Sequence, residues 1–288
     1  MIRLQPEHAT LVGIDSDGCV FPTMEIKQKH CFHPIIIEHW GLQEVADYVR
    51  ETAEFVNLYS KWRGTNRFIA LLKTFDLLRQ RTAVRESGVT IPELNSLRQY
   101  VRSGKPLSNE ALQLEAARGG DHELNCILAW SLAVNAAIEQ TVRSVAPFQW
   151  ARQAIVTMAR SSDVIVVSQT PEEALLREWR ENKLDSYVKA IAGQELGTKA
   201  EQLRMAAAGK YEPGKVLMVG DSLGDRRAAQ RADACFFPIK PGAEEVSWRF
   251  FCEEAYDRFL AGQYQGEYEE RLIAEFQRLL PETPPWED

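Results

Sequence analysis

Nowhere in the 288 residues is there an apolar run of the ~18 residues that a membrane-spanning helix requires. The opening MIRLQPEHAT lacks the apolar stretch of an export signal. Positive charge is not in excess: 34 Lys and Arg stand against 41 Asp and Glu, a formal net charge of −7, which argues against a polyanion-binding surface. The five cysteines (Cys19, Cys31, Cys126, Cys235, Cys252) are odd in number, scattered and never spaced C-x-x-C, a pattern of reduced thiols and not of a disulfide framework. No internal repeat and no low-complexity tract occurs. These absences lead to the expectation of a soluble, cytoplasmic protein that binds neither nucleic acid nor membrane. They leave its oligomeric state open.

What is present is ordinary globular material, 45% apolar and 26% charged, in a chain long enough for a buried core with a second domain beside it. Short apolar runs rich in β-branched residues recur at Thr10–Ile14, Val164–Val167, Tyr187–Ala192, Val216–Val219 and Ala234–Pro238. Continuous apolarity, as opposed to alternation, predicts strands covered on both faces, hence a parallel sheet between helices. Thr170-Pro171-Glu172-Glu173 reads as a helix start, with Thr170 as N-cap and Pro171 at the first helical position, followed by Leu175, Leu176 and Trp179 on one face. Residues 148–160 and 225–232 also read as helices. Joined to the first strand, this alternation predicts a doubly wound, Rossmann-like α/β core made of residues 1–22 and 147–245.

Residues 23–146 differ in character. Val45, Tyr48, Val49, Thr52, Val56 and Tyr59 fall at helical spacing, as do Phe68–Leu78 and Leu124–Ile138, and no convincing strand interrupts them. They predict an all-helical domain inserted after the first strand. Residues 246–288 form a helical C-terminal extension whose stripes, Trp248 to Phe259 and Leu272 to Leu279, are expected to pack on the core.

The first strand breaks into Asp15-Ser16-Asp17-Gly18, and the fourth into Gly220-Asp221-Ser222-Leu223-Gly224-Asp225. Open α/β sheets bind ligands at this carboxyl edge, although turns also favour Asp and Gly. Carboxylates converging there repel: at 4 Å and an effective dielectric near 20, each like-charged pair costs roughly 4 kcal/mol. A compensating cation is therefore expected, and oxygen-only ligands suit Mg²⁺. Ser168 and Gln169 end the second strand at the same edge. Lys199 opens a helix after the third strand, where a helix N-terminus with an ammonium forms an anion site.

The segments IDSDG, VVSQ, GTKAEQL and VGDSLGD resemble, in order and on the expected elements, the four motifs of the haloacid dehalogenase (HAD) superfamily. The helical insertion resembles that superfamily's cap, placed between the first and second motifs. The resemblance implies a phosphatase: Asp15 as nucleophile forming an aspartyl-phosphate, Asp17 as acid and base, and Ser168 bonding the phosphoryl group. It implies that Lys199 neutralises the approach of the phosphate. Asp15, Asp221 and the Asp17 carbonyl would ligate Mg²⁺, with Asp225 holding a metal-bound water or orienting Lys199. Dehalogenase members need no acid two residues after the nucleophile, so Asp17 favours phosphoryl chemistry on a small phosphorylated metabolite. A phosphomutase, a phosphonate hydrolase or a catalytically silent binding protein are the competing readings.

Substrate choice is expected to lie in the cap. Lys61-Trp62-Arg63-Gly64-Thr65-Asn66-Arg67 groups cations around an aromatic, which makes Arg63 and Arg67, with Gln169 of the core, candidates for contacting substrate. A solvated helix junction is the alternative for this segment. His30, Cys31, His33 and His39 raise a zinc site that no second Cys/His pair supports.

Overall fold

The computed structural model describes residues 4–286. Strand β1 (Leu11–Ile14) leads into eight helices: α1 (Thr23–Lys27), α2 (His33–His39), α3 (Ala46–Leu58), α4 (Arg67–Gln80), α5 (Thr82–Glu86), α6 (Asn95–Arg102), α7 (Asn109–Gly119) and α8 (His122–Thr141). Strands and helices then alternate as α9 (Gln149–Met158), β2 (Asp163–Val167), α10 (Glu172–Glu181), β3 (Ala190–Ala192), α11 (Lys199–Ala207), β4 (Val216–Gly220), α12 (Leu223–Arg231) and β5 (Cys235–Pro238). Three helices close the chain: α13 (Glu244–Phe250), α14 (Tyr256–Leu260) and α15 (Glu267–Arg278).

The five strands form one sheet in the order β3-β2-β1-β4-β5, every pairing parallel, with Ile14 between Val166 of β2 and Val219 of β4. Alternate residues feed two cores. Val12, Ile14, Val164, Val166, Leu217 and Val219 pack on one face with Ile155, Leu175 and Trp179. Leu11, Ile165, Val167 and Met218 pack on the other with Leu203, Ala229 and Phe276. Because both faces are covered, polar residues have no place in the strand interiors, and this is why the sequence runs are unbroken. The third strand begins later than expected. Asp185–Tyr187 makes a 3₁₀ turn, and pairing starts only where Lys189 N–H donates to the Val164 carbonyl at 2.7 Å.

The chain divides into two compact units, the α/β unit up to Met24 with Ser144–Pro281, and a helical unit from Glu25 to Arg143 that the chain rejoins at Glu282. The helical unit has its own core, built on Val49, Phe68, Phe75, Leu97, Ile127 and Trp130. In the α/β unit, α13 to α15 serve the sheet directly. Edge strand β5 has the Phe236 N–H bonded to the Glu269 carboxylate at 2.7 Å and the Phe236 carbonyl bonded to the Tyr264 hydroxyl at 2.9 Å. Two backbone groups that would otherwise template a foreign strand are thereby satisfied. Trp248, Phe251, Phe259, Leu272 and Phe276 are buried, whereas Leu279, expected on the same stripe, is exposed.

Candidate active site

Parallel pairing delivers Asp15 and Asp221 to the same edge, because β1 and β4 lie side by side and each ends one residue before its aspartate. The Asp15 N–H is held by the Val219 carbonyl at 3.0 Å, and Asp15 Oδ1 accepts from the Ser16 N–H at 2.8 Å. Helix α12 starts with a capping box in which the Ser222 hydroxyl accepts from the Asp225 N–H. Asp225 Oδ2 in turn accepts from the N–H groups of Asp221 (3.2 Å) and Ser222 (3.0 Å) and from the Ser222 hydroxyl (2.7 Å). Its other oxygen, Oδ1, lies 2.5 Å from Lys199 Nζ, which also reaches Asp15 Oδ2 at 2.7 Å. A side chain at Gly220 would collide with the Asp225 carboxylate, so the strand end must be glycine for this packing. Lys199 is fixed from its own side by a second capping box, Thr198 with Glu201, at the start of α11.

Asp15, Asp221 and Asp225 are all buried, and each offers a carboxylate oxygen within 4.8 Å of the others. Lys199 pairs with two of the three, Asp15 and Asp225, so the trio carries two more formal negative charges than this one ammonium offsets. Burial, with Asp225 and Asp221 adding to it against Lys199, drives the Asp15 carboxyl well above the usual carboxylate range. Burial alone would lower the Lys199 pKa, but Asp15 and Asp225 outweigh it, so the side chain stays an ammonium. An oxygen-only set with a charge deficit of two fits a hard divalent cation. By donor chemistry and by charge the residues suit Mg²⁺.

Asp17 is oriented separately. Its Oδ1 accepts from the Thr23 hydroxyl at 2.5 Å and its Oδ2 from the Thr170 hydroxyl at 2.7 Å. Thr170 thus does not cap α10; the cap position falls on Pro171, with no side-chain bond. The Thr170 N–H donates to Ser168 Oγ at 3.2 Å, so one residue ties the end of β2 to Asp17. The Gln169 amide donates to the Gly197 carbonyl at 2.9 Å, just ahead of Lys199. Gln202, fully buried one turn beyond Lys199, donates to the carbonyls of Ser168 (3.0 Å), Gly193 (2.7 Å) and Gly197 (3.1 Å). Thr23, Thr170 and Gln202 are the residues that sequence reasoning missed. Cys19, next to the Asp17-Gly18 turn, is buried in the core, and burial, with the nearby aspartates, pushes its thiol far up and out of reactivity.

Arg63 and Arg67 lie in the helical unit, at the turn between α3 and α4 and at the start of α4. Arg63 is 5% exposed and donates to the Leu58 carbonyl at 2.9 Å. Arg67 donates to the Ser131 carbonyl (3.1 Å), the Ser131 hydroxyl (2.9 Å) and Asn135 Oδ1 (2.7 Å), with its guanidinium 5.2 Å from the Phe32 ring. Burial lowers its pKa to about 10. His39 bonds the Cys126 carbonyl at 3.0 Å, and among the described residues the aspartate trio is the one group with metal-ligand spacing. The zinc alternative gains no support.

No protein-family model and no curated relative matches the sequence. Solved structures do resemble the fold. A candidate β-phosphoglucomutase from Bacteroides vulgatus shares 12% identity over 90% of this chain and 91% of its own, with a TM-score of 0.48. A candidate phosphoglycolate phosphatase from Lactobacillus delbrueckii subsp. bulgaricus shares 13% over 81% and 87%, with a TM-score of 0.48. A candidate HAD-hydrolase from Bacillus subtilis, solved bound to magnesium, shares 15% over 81% and 87%, with a TM-score of 0.43.

Proposed function

We propose that the chain is a Mg²⁺-dependent, cytoplasmic phosphatase of the HAD type that hydrolyses a small phosphorylated metabolite through an aspartyl-phosphate on Asp15. The observation that carries this reading is the buried charge deficit of Asp15, Asp221 and Asp225 against the single Lys199. A catalyst that must bring a carboxylate up to a phosphate dianion requires concentrated positive charge. Mg²⁺, held by Asp15, Asp221 and Asp225 or a subset of them with the Asp17 carbonyl, would supply the remaining charge and polarise the phosphoryl group.

The chain's own residues have the following parts. Asp15 attacks phosphorus and the P–O bond to the leaving group breaks. Asp17 gives its proton to the leaving oxygen, then takes one from the water that hydrolyses the acyl-phosphate. Lys199, clamped between Asp15 and Asp225, stabilises charge on the transferring group, and Ser168 bonds it. Asp225 acts chiefly by holding Lys199 and the first turn of α12. The helical insertion is assigned the choice of substrate, with Arg63 and Arg67 as its candidate contacts and Gln169 theirs from the core. The direct test is hydrolysis of a generic phosphoester: EDTA is expected to abolish it and Mg²⁺ to restore it, and full activity in EDTA would refute the assignment.

A further inference from the structure

The chain returns to the helical unit at its end, and what it meets there is a built seat. The Trp286 ring stands edge-on to Phe55, centroids 5.3 Å apart at 77°. The Arg81 guanidinium is shared by two rings, 4.4 Å from the Trp286 centroid and 4.7 Å from that of Tyr48. Arg81 is itself only 7% exposed and is fixed by Glu51 at 2.6 Å. Four residues earlier in the chain, Glu282 pairs with Lys61, and Lys61 and Lys73 both lie over the Trp62 ring, at 5.1 and 4.3 Å. The basic and aromatic segment beginning at Lys61 therefore already has an anionic ligand, the chain's own tail.

We infer that the α3–α4 face is a docking surface for the acidic Pro-Pro-Trp segment Glu282–Trp286, and that this segment straps the helical unit to the α/β unit as a third chain link. Leu280, 3% exposed, is anchored in the α/β core, and Trp286 is seated on the helical unit. Five residues, hence six Cα-to-Cα steps, separate these anchors, so their Cα atoms can move no more than about 20 Å apart. Pro284 and Pro285 stiffen the strap and lower the entropy lost on docking. Cation–π contact with a partly desolvated Arg and edge-on aromatic packing are the recognised contributions of such a seat.

The test uses the full chain labelled with 5-fluorotryptophan. Seven Trp signals are expected, with that of Trp286 assigned from Trp286→Phe. The expected ¹⁹F shift of Trp286 differs from that of a labelled synthetic peptide of residues 281–288, and Phe55→Leu moves the Trp286 and Trp62 signals. A wild-type signal at the free-peptide position, or one indifferent to Phe55→Leu, overturns the docking. Releasing the strap by Trp286→Ala is expected to speed tryptic cleavage after Arg143, at another crossing between units, several-fold. An unchanged cleavage rate overturns the strap.

Discussion

A hydroxyl can donate to a carboxylate and accept from a carboxylic acid, so Thr170 and Thr23 can hold Asp17 in both of the protonation states that its proposed role as acid and base requires. The consequence is measurable at Thr170. Thr170→Val should lower kcat about tenfold on esters with poor leaving groups, within the ~10²–10⁴ that general acid catalysis supplies, and much less on good ones. Thr170→Ser should restore most of the loss. An equal loss on both kinds of ester would assign Thr170 to packing alone. The sequence made Asp15, Asp17, Asp221 and Lys199 visible because strand ends at a parallel edge are predictable from apolar runs. It hid Thr170, whose place before Pro171 reads as an N-cap, because the choice between capping α10 and reaching Asp17 is made by tertiary proximity. Gln202 was hidden for the same reason: nothing local marks a helical glutamine as the donor to three loop carbonyls.

At the scale of elements, the strands of the buried sheet were legible to within a residue or two, except β3, where a 3₁₀ turn occupies the first part of the apolar run. Helices α5, α6 and α7 were not foreseen; α6 buries only Leu97 and Tyr100, and α7 only Leu112 and Ala116, too few to set a period. Helix α2 carries a pH-sensitive element. His33, 1% exposed, has its pKa lowered to about 4 by burial, with Lys29 and Arg50 adding to it. The unfolded chain, with a pKa near 6.5, binds the proton more readily, so this histidine's contribution to stability is full above about 6.5 and is lost as pH falls toward 4. The expected effect is a loss of roughly 2 kcal/mol by pH 5. Urea midpoints measured from pH 7 to 5 should fall less steeply in His33→Gln than in wild type, and parallel slopes would show that His33 does not titrate in this window.

Over the whole molecule, a net charge of −7 leaves the proposed anionic substrate to be drawn by local charge alone, that of Lys199 and of the cation proposed to sit beside it. The metal-free protein then stores repulsion at the sheet edge. Asp221→Asn should raise the melting temperature in EDTA by relieving it, yet abolish the stabilisation that Mg²⁺ gives wild type, about 2.7 kcal/mol at a hundredfold excess over Kd. A variant that loses stability in EDTA and keeps the Mg²⁺ increment would remove Asp221 from the metal set. The central claim, transfer of a phosphoryl group to Asp15, is tested most directly by quenching Asp17→Asn in acid during turnover of an ester with a good leaving group. Such an ester needs little protonation to depart, whereas hydrolysis of the phosphoenzyme lacks its base. Intact and peptide masses should show one phosphoryl group on the peptide that carries Asp15. A phosphoryl group on Ser168, or an Asp15→Asn variant that turns over at the wild-type rate, would contradict the account.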